Sequence, residues 1–232
     1  MDKIIVAIGG GEIKNKTTHK IDAFVADLIK KHANGERGNA LFIGTASHDS
    51  MPYFNSFRKT YTSVHDIKAE VGLIVYGEMD INKIADKIQK ADAIYIGGGD
   101  TLFMLDKWKE TGLYDLIVNA YNDGKIICGL SAGAICWFKD MYTDYEIMRG
   151  QSSDYVLKKG MGILDGLMCP HYNQREEDFS RAFINSDFDF AYGVENDCAL
   201  VFVNGELLKS VSSGGKAYKI TKNDDKIVKT EI

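Results

Sequence analysis

Proline is nearly absent from this chain, with two in 232 residues, and cysteine and histidine are scarce at four and five. So little proline leaves no extended proline-rich linker. The cysteines, Cys128, Cys136, Cys169 and Cys198, stand singly inside apolar stretches, with no CxxC pair and no histidine at zinc-ligand spacing. A zinc ribbon and a disulfide scaffold are thereby excluded, no metal is expected, and buried thiols in a reducing compartment are the simplest reading. No apolar run approaches the roughly 20 residues that cross a bilayer. Positive charge is not in excess either. The 28 Lys and Arg against 33 Asp and Glu give a net charge of -5 with interspersed signs, which speaks against a nucleic-acid surface. The opening MDKIIVAIGGG has too short an apolar run for a signal peptide and reads as a first buried strand. The expectation is a cytoplasmic protein with neither membrane nor nucleic acid as partner.

What is present is an alternation of apolar runs with helical patterns. Strands are expected at Lys3–Ile8, Ala40–Gly44, Gly72–Gly77, Ala93–Ile96 and Ile126–Cys128. Between them, Ile21, Phe24, Val25, Leu28 and Ile29 share one helix face, as do Ile81, Ile84, Ala85 and Ile88. Further helices are expected from Leu102 to about Lys109, over Leu113–Tyr121 and from Ala132 to Phe138. The strands are continuously apolar rather than alternating, as when helices cover both sheet faces. That pattern predicts a doubly wound, mostly parallel α/β sheet. Toward the end, Ala199–Val203, Leu207–Val211, Ala217–Ile220 and Lys226–Lys229 are separated by Asn-Gly, Gly-Gly and Asn-Asp-Asp, and predict antiparallel hairpins closing the sheet edge. No repeat or linker interrupts residues 1–232, which read as one domain. Tyr53, Phe54 and Phe57 would form a self-association patch or, the favoured reading, pack a helix on the sheet.

In open α/β sheets, sites gather at the carboxyl ends of strands. Gly9–Glu12, Gly97–Thr101 and Gly129–Gly133 should converge there. Gly129-Leu130-Ser131-Ala132-Gly133 matches G-x-S-x-G between a strand and a helix-compatible stretch, the context in which a sharp turn lifts a serine hydroxyl above the sheet. Serine needs a base. Among the histidines, His19 and His32 read as solvated and His48 as structural, whereas His171 sits where an apolar segment gives way to a loop after Pro170.

Taken together, IGGGDT (96–101), GLSAGAICWF (129–138) and CPHYN (169–173) resemble the dipeptidase E and cyanophycinase family of serine peptidases, as do FIGTAS (42–47) and GVENDCALV (193–201). The resemblance spans most of the chain. It implies a flavodoxin-like fold similar to class I glutamine amidotransferases, with serine in place of their cysteine at the elbow. Ser131 would be the nucleophile, His171 the general base and acid, and backbone amides of Gly98, Gly99 and Ala132 the oxyanion hole. An aspartate about fifteen residues after the nucleophile is part of the family pattern. Asp144 fits it by residue type, and Glu146 and Glu195 are alternatives. Arg175 is the candidate cation for a substrate carboxylate, and Asp100 and Thr101 are further substrate-binding candidates.

The implied activity is a serine exopeptidase for short peptides, with dipeptides that begin with aspartate as candidate substrates and no cofactor. The rival readings are another serine hydrolase, an esterase or acyl-peptide hydrolase, and a non-catalytic binding protein on the same scaffold. Its state would be monomer or homodimer.

Overall fold

A computed structural model describes residues 1–76, 79–223 and 226–232. In chain order the first half runs β1 (Ile4–Ile8), α1 (His19–His32), β2 (Asn39–Ile43), α2 (Met51–Arg58), β3 (Lys68–Gly72), α3 (Ile81–Lys90) and β4 (Ala93–Ile96). It continues with α4 (Thr101–Thr111), α5 (Leu113–Asn122), β5 (Ile126–Leu130), α6 (Ala132–Ile135), β6 (Phe138–Thr143), α7 (Tyr145–Met148) and β7 (Val156–Lys159). The remainder is β8 (Leu164–Cys169), α8 (Tyr172–Ile184), β9 (Phe190–Val194), β10 (Cys198–Val203), β11 (Glu206–Ser212), β12 (Ala217–Asn223) and β13 (Lys226–Glu231).

The strands form two sheets. The larger has the order β11-β10-β1-β5-β4-β2-β3, and its β1, β5, β4, β2 and β3 are mutually parallel. Alternate residues of its central strands enter different cores. Ile5 and Ala7 of β1 join one cluster, and Val6 and Ile8 join the other. Both faces are therefore buried, which is why these strands read as unbroken apolar runs. The mostly parallel α/β core expected from the sequence is present.

Three expectations need correction. The third strand is not Gly72–Gly77 but Lys68–Gly72, whose KAEVG pairs in parallel with β2. As the sheet's edge strand it is only half-buried and needs no apolar run. The segment after it is held by the Asp49 carboxylate, which accepts from the amides of Ile74 and Val75 at 2.6 and 2.5 Å; Gly77 lies outside the described residues. Second, the helix after Ser131 is short, because residues from Phe138 onward enter β6.

Third, the hairpins do not close one sheet. β10 does extend the larger sheet antiparallel to β1, and β11 follows antiparallel to β10. β12 and β13 instead belong to a second sheet of order β13-β12-β9-β8-β6-β7; of the turn between them, residues 224 and 225 lie outside the described residues. The two sheets meet where Phe202 packs edge-on against Phe138 and Tyr192, at 5.5 and 5.6 Å between ring centroids. Helix α8 covers the other face of the second sheet with Phe179 and Phe183. Phe54 and Phe57 are core residues, as expected for helix packing. All four cysteines are buried free thiols. No helix among the described residues is long and apolar enough to cross a membrane.

Candidate active site

Strand β1 ends in three glycines, and the carbonyls at this end hold three other parts of the chain. Ile8 O accepts from the Ser131 amide at 2.9 Å, Gly9 O from the His171 amide at 2.9 Å, and Gly10 O from the Asp197 amide at 3.1 Å. One short stretch of backbone thus fixes the ends of β5, β8 and the β9–β10 connection beside one another. Above it opens a cleft of about 610 Å³ lined by parts of all three glycine-rich segments, together with Tyr53, Asp144 and His171.

Ser131 has φ 52° and ψ -107°, a conformation that non-glycine residues rarely adopt. Its neighbour Gly129 permits the turn: a Cβ there would overlap the Gly133 carbonyl and come within 2.8 Å of Ala134 N. The strained elbow raises Oγ toward His171, and the Oγ to Nε2 distance is 2.8 Å. His171, at φ 50° and ψ 37°, stands at the N-terminus of α8.

The other ring nitrogen, Nδ1, lies 2.6 Å from Asn196 Oδ1. An amide carbonyl only accepts, so the proton sits on Nδ1 and Nε2 is left free to accept from the serine hydroxyl. Gly10 makes room for this pair: a Cβ there would lie 2.6 Å from His171 Cε1 and overlap Asn196 Oδ1. Burial, and then the Arg175 charge, hold the imidazole below its ordinary value, with the Asn196 hydrogen bond and Asp144 opposing them. A neutral imidazole bonded to a hydroxyl is the state a general base requires.

The three acids named from the sequence do not touch the imidazole. Asp144 Oδ2 accepts from Arg175 Nη2 at 2.7 Å, Glu146 accepts from the Tyr145 hydroxyl at 2.5 Å, and Glu195 accepts from the Lys216 amide at 2.9 Å. The residue in contact is Asn196. It is an amide rather than a carboxylate, although its place two residues beyond β9, next to Glu195, is a usable signal.

Arg175 is likewise not among the residues that line this cleft. It is 5% exposed, committed to Asp144, with its guanidinium 4.7 Å from the Tyr155 ring centre. Burying a guanidinium without a counter-ion is costly, so the pair is kept together. Asp144 is the member of that pair on the cleft wall. Asp100 and Thr101 are buried as well. Asp100 caps α4 through the Phe103 amide at 2.9 Å and pairs with Arg149 at 2.6 Å, so it builds the helix start rather than lining the cleft. His48 packs at a tilt against Phe103, with ring centroids 4.2 Å apart. His32, expected in solvent, is paired with Asp92 at 2.8 Å. Of the amides assigned to an oxyanion hole, those of Gly99 and Ala132 have no hydrogen-bond partner among the described residues, whereas Gly98 N–H donates to the Tyr53 hydroxyl at 3.4 Å.

Comparison with known proteins gives the family. Residues 5–210 match the model of peptidase family S51. The uncharacterized peptidase YgaJ of Bacillus subtilis (strain 168) is 30% identical over 236 residues, covering 99% of this chain and 97% of that one. Peptidase E of Streptomyces coelicolor is 32% identical over 123 residues, 53% of this chain and 49% of that protein. The crystal structure of a peptidase from an acI-B1 Actinobacterium superposes with a TM-score of 0.71 at 17% identity, covering 100% of this chain and 94% of that one, and so shares the fold. The match to nearly the whole chain, with a relative aligned end to end, makes this protein a peptidase and a member of peptidase family S51.

Proposed function

We propose that the protein is a serine peptidase that cleaves short peptides through an acyl-enzyme on Ser131. The observation that carries this reading is the continuous chain from Ser131 Oγ to His171 Nε2 and from Nδ1 to Asn196 Oδ1, at 2.8 and 2.6 Å. In it Ser131 Oγ attacks the scissile carbonyl carbon while its proton passes to Nε2, and the carbonyl π electrons move onto oxygen. Collapse of that intermediate breaks the C–N bond, and the proton on Nε2 goes to the leaving amine. Water then repeats the sequence on the ester and regenerates the serine. Asn196 holds the productive tautomer, as the amide does in the Cys-His-Asn sites of papain-like peptidases.

A cleft of about 610 Å³ suits a ligand of dipeptide or tripeptide size. For a substrate that begins with aspartate, Lys14 is a cation on the cleft wall, and Asp144, which shares that wall with Glu12, is a carboxylate for an α-amine. Arg175 then acts at one remove, by holding Asp144.

Fluorophosphonate labelling followed by intact mass tests the reading. One adduct is expected on the wild type and none on Ser131→Ala. A folded wild type that remains unlabelled at pH 8 would sink it. With Asp-X dipeptides, Lys14→Ala should raise KM without a matching loss of kcat. An equal effect of Lys14→Ala on Asp-X and Ala-X dipeptides would remove Lys14 from specificity.

A further inference from the structure

Tyr53 stands in the first turn of α2, and its ring forms part of the cleft wall. Two contacts fix that ring. It lies edge-on to Phe42, with centroids 5.0 Å apart, and flat space at Gly97 receives it: a Cβ on Gly97 would come within 2.9 Å of Tyr53 Cε1. So held, the hydroxyl oxygen accepts from the Gly98 amide at 3.4 Å. Gly98 in turn abuts the nucleophile, since a Cβ there would lie 3.4 Å from Ser131 Cβ. The phenol and Ser131 therefore face the same cleft, with Gly98 in contact with both.

A peptide N–H has a single proton, and that of Gly98 is directed to the phenol. A phenol both accepts and donates. Having accepted from Gly98, the Tyr53 hydroxyl retains its own proton, and among the described residues no acceptor takes it. Burial pushes this hydroxyl up to about 12, so it stays protonated at neutral pH. Accepting one hydrogen bond also polarises the O–H for the next.

We propose that Tyr53 is a further catalytic residue, donating its O–H to the carbonyl oxygen that becomes negative when Ser131 attacks, so that Gly98 acts through the phenol rather than on the substrate directly. The proposal rests on the Ser131 acyl-enzyme reading. The proton remains on Tyr53 throughout; it stabilises the oxyanion together with the Ala132 amide, and no bond at Tyr53 is made or broken. This position differs from a binding contact because its hydrogen bond strengthens only as charge develops.

The test is the second-order rate of fluorophosphonate labelling of the full chain, because the phosphoryl oxygen takes the place of the carbonyl oxygen. Tyr53→Phe keeps the ring and its contacts with Phe42 and Gly97. Labelling is expected to slow by about a hundredfold, the usual effect of losing one oxyanion donor, with the melting temperature unchanged. With a peptide substrate, kcat should fall and KM hold. Tyr53→Leu, also without a hydroxyl, must show the same loss. A Phe variant labelled within about threefold of wild type would overturn the proposal while leaving the Ser131 reading intact. A faster variant would overturn it too, by showing that the hydroxyl obstructs the Gly98 amide. A wild type that resists labelling removes the Ser131 reading and the Tyr53 proposal together.

Discussion

Replacing Asn196 with aspartate would set a carboxylate where an amide carbonyl now takes the His171 Nδ1 proton at 2.6 Å. The wild-type imidazole is held below its ordinary value by burial and by Arg175. The acidic limb of kcat/KM, which reports the base in the free enzyme, should therefore lie below about pH 6.5. A carboxylate beside the ring reverses the balance by favouring the imidazolium. Unit charges about 4 Å apart attract by about 4 kcal/mol at an effective dielectric constant near 20, which bounds the change at roughly 3 pH units. Opposite charges at such range commonly move a titration by about 1–3 units. Asn196→Asp should accordingly shift the limb upward by about 1–3 units, so that the variant loses activity at pH 6 relative to wild type and regains it as pH rises toward 9. The assay is a kcat/KM profile from pH 5 to 9, with fluorophosphonate labelling rates as a substrate-free parallel. Asn196→Ala leaves the tautomer unfixed and should lower kcat, by no more than the roughly 10⁴-fold that a wrong tautomer costs a serine triad. A limb that stays in place in Asn196→Asp would refute the assignment of His171 as base with Asn196 as its partner.

Gly10→Ala thrusts a methyl against His171 and Asn196 and should lower kcat by about a hundredfold, as small misplacements of catalytic groups do, while circular dichroism remains that of the wild type. Gly129→Ala brings its Cβ into the Gly133 backbone and should destabilise by about 3 kcal/mol or more, read from urea midpoints; a midpoint equal to wild type would mean that the elbow is looser than this contact requires. Asp22 is buried, its oxygens accepting from Thr18 and Tyr61 at 2.8 and 3.2 Å, and burial pushes it up to about 6. Its folded value lies above the unfolded one, so its protonated form adds stability below about pH 4 that is lost as pH rises through 6, about 3 kcal/mol in all. Asp22→Asn should flatten the fall of urea midpoints between pH 4 and 7, and an unchanged slope would show that another group titrates there.

The parts of this molecule legible in its sequence are those fixed by local physics. The two-faced burial of β1, β2, β4 and β5 leaves unbroken apolar runs, and the elbow leaves its glycines. The edge strand β3 is hidden because a half-exposed edge tolerates Lys68 and Glu70, while the more apolar Ile74 and Val75 are tied to Asp49 instead. The second sheet is not separable by pattern because its β8 and β9 are short and buried, like strands of the first. Asp144 has the residue type of an orienting acid, but residue type does not report that Arg175, a turn into α8, claims it. Asn196 lies 25 residues from its histidine, and only the β9–β10 crossing between sheets brings them together.

The three carbonyls at the end of β1 have a consequence for synthesis on the ribosome. They are made well before the groups they hold, which arrive at positions 131, 171 and 197, and β1 gains its antiparallel neighbour only when residues 198–203 exist. Nucleophile, base and orienting amide come from successive stretches of the nascent chain, each waiting for the same early template. Such long-range closure slows folding. On the proposed mechanism, a growing chain with Ser131 already exposed has no assembled centre until residue 197 has emerged.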